Sequence, residues 1–385
     1  MRFLVLGTGV LAALAWAAGC SDSSDPSAPV DAGIETSAAD VTQPPVDSGS
    51  DATSGPNCAK DDDLDGIKKH LACTGLYSDF ASRTAAADVK EYKPALEFWS
   101  DGAEKKRWVK LPAGMKIDAT DMDEWVFPDG TQFWKEFKVD GKRVETRLYE
   151  KSALGWRHTV YRWNVDETDA TRKEGGELVP PSGARTKSYE VPNTTQCNQC
   201  HDGRKEPVLG FDAIGLGLPG ATGVTLATLV ADGRFTTAVT PTSFTIPDDD
   251  AGSRDAFGWL HANCGACHNP NSGAAALFTT PKFLVRPSDL LGDGGVPAAT
   301  PTTMVAYTST VCVDSKRNED DGGVLKLVAG GSPEGSLASR LSGYRAPEGM
   351  DPSSTVQMPP LVTRAPDTNG HAKLDTWITN LAPCP

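Results

Sequence analysis

Residues 255–270 read DAFGWLHANCGACHNP, and at their centre stands Cys264-Gly265-Ala266-Cys267-His268. Cys-x-x-Cys-His is the pattern that attaches a c-type haem. Two thiols one short turn apart reach two vinyl groups of one porphyrin, and the next residue offers an imidazole to the iron. The pattern recurs at Cys197-Asn198-Gln199-Cys200-His201. A zinc ribbon also pairs two C-x-x-C units, but about 15–20 residues apart. Here 63 residues separate Cys200 from Cys264, and His follows each pair directly. The spacing therefore favours two haems, with His201 and His268 as proximal ligands, over zinc or a redox dithiol.

The remaining chain fits around that reading. One charge, Arg2, precedes an apolar run over residues 3–18 that closes on Ala17-Ala18-Gly19-Cys20. This is the pattern of a secretory leader, too short to span a bilayer. Small residues before cysteine resemble a bacterial lipobox, which implies a leader over residues 1–19 and lipid on Cys20. Residues 20–57 are Ser-, Asp-, Ala-, Pro- and Thr-rich and cannot bury enough surface to offset ordering, so they read as a disordered tether. Lipid anchoring at the cell envelope, facing the periplasm or exterior, is the expected location.

Nine cysteines, less Cys20 and the four of the two motifs, leave Cys58, Cys73, Cys312 and Cys384. In an oxidising compartment four leftovers indicate two disulfides, and chain order favours Cys58–Cys73 and Cys312–Cys384 among three connectivities. In the Cys/Asp-rich stretch 58–90, Asp61, Asp63 and Asp65 precede Gly66 as in the first half of an EF-hand loop. The bidentate Glu that should close such a loop is replaced by Ala72, so calcium and a solvated acidic turn stand evenly.

Residues 91–190 are aromatic and β-forming. Val144, Thr146 and Leu148 alternate with charged neighbours, the period of a half-buried strand. Residues 132–139 run into Asp140-Gly141, a hairpin signal, and 155–163 reads as a further strand. Trp99, Trp108, Trp125, Trp134, Trp156 and Trp163 offer either a sugar platform or a β-core; core is the commoner use.

Residues 191–250 carry the first motif, but no Met occurs between His201 and Cys264, and the sole His in that interval is His261. The sixth ligand of a first haem must come from elsewhere, with His70, His158, His261, Met115, Met122 and Met304 as candidates, or that position stays open. Residues 251–385 look self-sufficient. A short helix over 257–263 leads into Cys264, and Met358 lies in Val356-Gln357-Met358-Pro359-Pro360, a stiff loop suited to presenting a thioether. Met opposite His is a frequent axial pair. Leu374, Trp377, Ile378 and Leu381 have helical spacing and should pack across the first helix.

On these motifs the second half resembles a class I cytochrome c domain, which implies Met358 as distal ligand. From about Pro94 onward the chain resembles a family of uncharacterised bacterial proteins with a β-rich region before two CxxCH motifs. The segments that carry it are FWSDGAEKKRWVKLP, VETRLYE, YRWNVDETDA, VPNTTQCNQCH and LHANCGACHNP. That resemblance implies export and haem binding, and names no substrate.

Formal net charge is −14, and loss of Arg2 with a leader makes it −15. Such a chain lacks the basic stripe that binds nucleic acid and suits a basic patch on a redox partner. The expected fold is α+β multidomain: an antiparallel β-rich domain, a small haem-binding segment and an α-helical cytochrome c-like domain. The expected function is electron transfer by a lipid-anchored di-haem cytochrome. The alternative is a peroxidase-like di-haem oxidoreductase with an open sixth position on the first haem, and a weaker third is a binding module with haems appended.

Overall fold

Along the strand Gln132–Val139, Phe133 and Phe137 point to one side of a sheet and Trp134 to the other, and all three are buried. Both faces of this sheet are therefore covered, which is why its strands carry bulky residues at successive positions. The computed structural model describes residues 56–385 apart from 63–64, 184, 272, 293–294, 319–323 and 355. The leader, Cys20, nearly all of the tether, and Asp63 lie outside the described residues.

The chain is α+β. Six strands form an antiparallel meander: β1 (Lys90–Lys93), β2 (Glu104–Lys110), β3 (Gln132–Val139), β4 (Lys142–Ser152), β5 (Gly155–Trp163) and β6 (Ala170–Lys173). A ribbon of β7 (Glu177–Val179) and β8 (Tyr189–Val191) follows, and β9 (Thr222–Gly223) adds a seventh strand beside β1. At the β3–β4 turn Asp140 and Gly141 both have positive φ, 51° and 76°, the twist a tight hairpin needs.

One face of the sheet presents Trp108, Trp134, Leu148, Tyr161 and Trp163 to Leu71, Leu76 and Tyr77 of the amino-terminal segment, which the Cys58–Cys73 disulfide closes. The other face presents Tyr92, Val109, Phe133 and Tyr149 to the helices. Of the six tryptophans in the β-region, Trp108, Trp125, Trp134 and Trp163 are buried. Trp99 and Trp156 turn their indole N–H inward, to the Ala365 carbonyl and to Glu206. Five of the six build cores, and Trp99, half-buried, lines cavity walls instead.

Five helices position the chemistry: α1 (Thr194–His201), α2 (Ala213–Gly217), α3 (Ser253–Asn263), α4 (Leu337–Gly343) and α5 (Thr368–Asn380). As its spacing requires, α5 crosses α3, with the Phe257 and Trp377 rings 5.2 Å apart. The Trp259 indole donates to Asp367, the cap of α5, at 2.8 Å. The crossing is close because Gly370 has no side chain: a Cβ there would lie 1.8 Å from Trp259 Nε1. Each large apolar side chain buried here contributes roughly 1.5–3 kcal/mol. A second disulfide, Cys312–Cys384, ties the chain beyond α5 to the segment before strand Asp314–Asn318.

A single cluster of buried side chains runs from Tyr92 and Phe133 through Phe211, Phe257 and Leu260 to Trp377 and Ile378. It crosses the compositional boundaries at 190 and 250, and residues 55–385 form one compact unit. No helix of the described residues is long and apolar enough to cross a membrane.

Candidate functional site

Asn193 starts the first motif. Its side chain accepts from the Gln196 N–H while the Gln196 side chain accepts from the Asn193 N–H, a reciprocal cap that opens α1. Cys197, Cys200 and His201 then lie on one short helix. The second motif is built differently. α3 ends at Asn263, and Cys264–His268 curls into a turn in which the His268 N–H donates to the Cys264 carbonyl at 2.8 Å.

The two imidazoles nonetheless have the same setting. His201 Nδ1 lies 2.7 Å from the Pro207 carbonyl, and His268 Nδ1 lies 3.2 Å from the Pro281 carbonyl. A carbonyl can only accept, so both rings carry their proton on Nδ1. Nε2 of each is left as a lone pair with no hydrogen-bond partner among the described residues. A backbone acceptor on the far nitrogen is the arrangement that orients and strengthens a metal-ligating imidazole. Burial pushes the His201 pKa down to about 3 and the His268 pKa down to about 4, so both rings are neutral.

Met358 shares a cavity with the second motif. It lines the same space as His268 and Cys264, ≈410 Å³ walled by Leu260, Phe283, Leu341 and Leu374. Its backbone is pinned from both sides, N–H to the Leu341 carbonyl at 2.9 Å and C=O from Arg345 at 3.1 Å. The cavity is the size and polarity of a cofactor site. Cys264, His268 and Met358 around that space fit a haem by donor set. The space beside Cys197, Cys200 and His201 is narrower, ≈150 Å³, and fits by donor set alone. A larger cavity of ≈660 Å³, between Leu96, Arg254 and Lys373, is lined by no cysteine, histidine or methionine.

The motifs are pressed together. Cys200 and Cys267 bring their sulfurs to 3.8 Å, and Cys267 reaches the Gln199 carbonyl at 3.5 Å. Two glycines permit this, since a Cβ on Gly203 would lie 1.9 Å from the Ala266 oxygen and one on Gly273 1.9 Å from the Asp202 oxygen.

None of the six candidates for a sixth ligand to a first haem lines the His201 cavity. His158 stacks on Tyr149 at 4.9 Å, and Tyr149 stacks in turn on His201 at 4.5 Å, so a phenol ring separates the two imidazoles. His261 accepts the Val285 N–H on Nδ1 and therefore holds its proton on Nε2, the reverse of the two motif histidines. His70 pairs with Asp61, Met304 and Met122 belong to the core, and Met115 is exposed.

The two described aspartates of the candidate calcium loop, Asp61 and Asp65, are already taken by side chains of the protein. Asp61 binds the His70 ring and backbone N–H, and Asp65 is clamped by Arg172, which holds its carboxyl down at about 2. Calcium would have to displace both pairings. Among the described residues no group of three or more His, Cys, Asp or Glu side chains converges as a metal site. A haem iron asks for less, because four of its ligands are porphyrin nitrogens.

What sequence reasoning missed is a row of cations on the sheet face beside His201: Arg107, Lys135 and Arg147, directly opposite one another on β2, β3 and β4. Strict alternation from Phe133 and Phe137 would have put Lys135 on the covered face. Comparison with known proteins finds no matching family, no matching curated protein and no matching solved structure. The two resemblances stand on their quoted motifs alone.

Proposed function

We propose that this chain is an exported c-type cytochrome that carries two covalent haems, at Cys197/Cys200/His201 and Cys264/Cys267/His268, and passes electrons between them. The observation that carries the reading is the matched tautomer of the two motif histidines, each fixed by a proline carbonyl with Nε2 left free. Bound haem would supply one-electron chemistry at its iron. The protein's part is to hold His268 and Met358 on one apolar cavity, to exclude water with Leu260, Phe283 and Leu374, and to bring the two motifs into contact. Thioether plus imidazole favours a high-potential centre at the second motif. Export, a lipidated Cys20 and a redox partner with a basic docking patch belong to the same proposal.

Haem content and intact mass of protein made with its export leader test it. Two haems in the wild type, and one in each of Cys197→Ala/Cys200→Ala and Cys264→Ala/Cys267→Ala, are expected. A haem-free protein with Cys200 joined to Cys267 as a disulfide would replace the reading with a thiol-redox one, which their 3.8 Å separation permits.

A second reading has its own observation. The His201 cavity is lined by no second His and no Met, which favours an open iron position and a di-haem oxidoreductase acting on a small molecule there. A high-spin ferric signal from half the iron, abolished by cyanide, would select it; two low-spin irons would select the carrier.

A further inference from the structure

The covered face of the sheet carries an arrangement that costs stability unless something answers it. Arg107, Lys135 and Arg147 are direct cross-strand neighbours, and like charges in that position repel. One of the three is answered: Arg147 is bound through two nitrogens by Glu145, which also accepts the Tyr189 hydroxyl. The other two are not. Arg107 is only 5 % exposed, and its Nε has no hydrogen-bond partner among the described residues. Lys135 makes no hydrogen bond or ion pair among the described residues. Its Nζ rests over the faces of Phe98 at 5.6 Å and Phe137 at 5.0 Å. Lys135 lines the cavity that holds Cys197, Cys200 and His201. Burial, with Arg107 and Arg147 on either side, holds its pKa well below the ordinary lysine value.

Lys135 is half-buried in the wall of this cavity, and Arg107 is buried beside it but outside the wall. A cation left there without an ion pair costs stability, and proteins carry that cost where a ligand supplies the missing charge. We propose that Lys135, with Arg107 beside it, is the seat of a carboxylate at the first CxxCH motif. The carboxylate comes either from the propionate side chains of a haem held at Cys197 and Cys200 or from a small free anion that enters the cavity. The inference rests on the haem reading above. Lys135 is the binding residue in either case, and Arg107, opposite it on β2 and outside the cavity wall, a positioning residue; neither performs a chemical step.

The test uses holoprotein in wild-type, Lys135→Met, Arg107→Met, Lys135→Arg and Lys138→Met forms, with haem content measured on each sample. Lys138 is the control, next along β3 and on the other face. Two properties are read: the haem-carboxylate bands in resonance Raman, and the visible spectrum during a formate titration. If the haem's own carboxylates occupy the seat, Lys135→Met and Arg107→Met shift those bands and formate leaves the wild-type spectrum unchanged. If a free anion does, formate gives a saturable shift whose half-point rises at least tenfold in Lys135→Met and recovers in Lys135→Arg. Lys135→Met is expected to fold, since it removes an uncompensated charge. Variants indistinguishable from wild type in both properties, or a Lys138→Met effect of equal size, overturn the proposal. Absence of haem from the wild type is a failure of the haem reading instead. The seat is then judged by whether formate raises the melting temperature of wild type and not of Lys135→Met.

Discussion

The sulfurs of Cys200 and Cys267 lie 3.8 Å apart, so the two Cys-x-x-Cys-His motifs meet at their second cysteines. Were each sulfur a haem thioether, the two attachment points would be in van der Waals contact, and neither iron would behave as isolated. In a half-reduced sample the iron that remains ferric is therefore expected to relax more slowly in EPR than the same iron in the fully oxidised protein, because its neighbour has become diamagnetic. Identical relaxation in the two samples would contradict contact between the centres.

Met358 is held by backbone bonds on both sides, to Leu341 and from Arg345, so its side chain is delivered to the His268 cavity without reliance on its own packing. On the proposed haem reading, Met358→Ala should remove a ligand and leave the loop in place. The reduction potential of one haem is expected to fall, because a thioether ligand raises it, while the other is unchanged. Spectroelectrochemistry reads both. Equal shifts at the two centres, or none, would remove Met358 from the ligand set.

Much of this was legible in the residues. Alternation marked β4 and β5, the run into a two-residue turn signal marked β3 and the β3–β4 hairpin, and helical spacing marked α5 and its crossing with α3. Cysteine arithmetic paired both disulfides. Those features follow from local periodicity and counting. The cation row was not legible, because Lys135 reads as the polar member of an alternating strand and only a second covered face makes it half-buried. The contact between motifs was hidden for a similar reason: it depends on Gly203 and Gly273 meeting backbone 63 and 71 residues away, at Ala266 and Asp202. Composition changes at 190 and 250 looked like domain limits, yet they mark a change of element over one continuous core.

Asp101 ties the sheet side of the protein to the loop after Met358, its carboxylate accepting the N–H groups of Arg364 and Ala365. Burial lifts its pKa from 3.8 to about 6. Between those values the folded state holds a proton that the unfolded chain has released. Stability attributable to Asp101 therefore falls as pH climbs from about 4 to about 6, and stays lowered above that. Asp101→Asn keeps an acceptor oxygen and tolerates the local φ of 53°. It is expected to gain on wild type by on the order of 2–3 kcal/mol at pH 7 and by little at pH 4. Melting temperatures across that range decide it; a difference that does not vary with pH would mean the carboxyl titrates normally.

The two disulfides should differ in size of effect and in reach. Cys58–Cys73 closes a separation of 15 residues and Cys312–Cys384 one of 72. Loop-closure entropy alone gives roughly 3 and 4 kcal/mol respectively. The structural consequences diverge more. Cys58–Cys73 braces a segment on the far face of the sheet, around Leu71 and Leu76, away from both motifs. Cys312 is followed, after Val313, by Asp314 and Ser315, which line the His268 cavity, and its own N–H donates to the Val328 carbonyl beside Leu327 of the same wall. Cys384 holds the chain end against that segment, where a Cβ on Gly330 would lie 2.0 Å from the Ala382 oxygen. Cys312→Ser/Cys384→Ser is thus expected to lower the urea midpoint more and, if His268 holds the proposed haem, also to disturb its visible spectrum. Cys58→Ser/Cys73→Ser should lower the midpoint and leave that spectrum alone. Were the amino-terminal pair to perturb the spectrum equally, the cavity wall would not depend on the carboxy-terminal bond, and its stabilising effect would be chain entropy only.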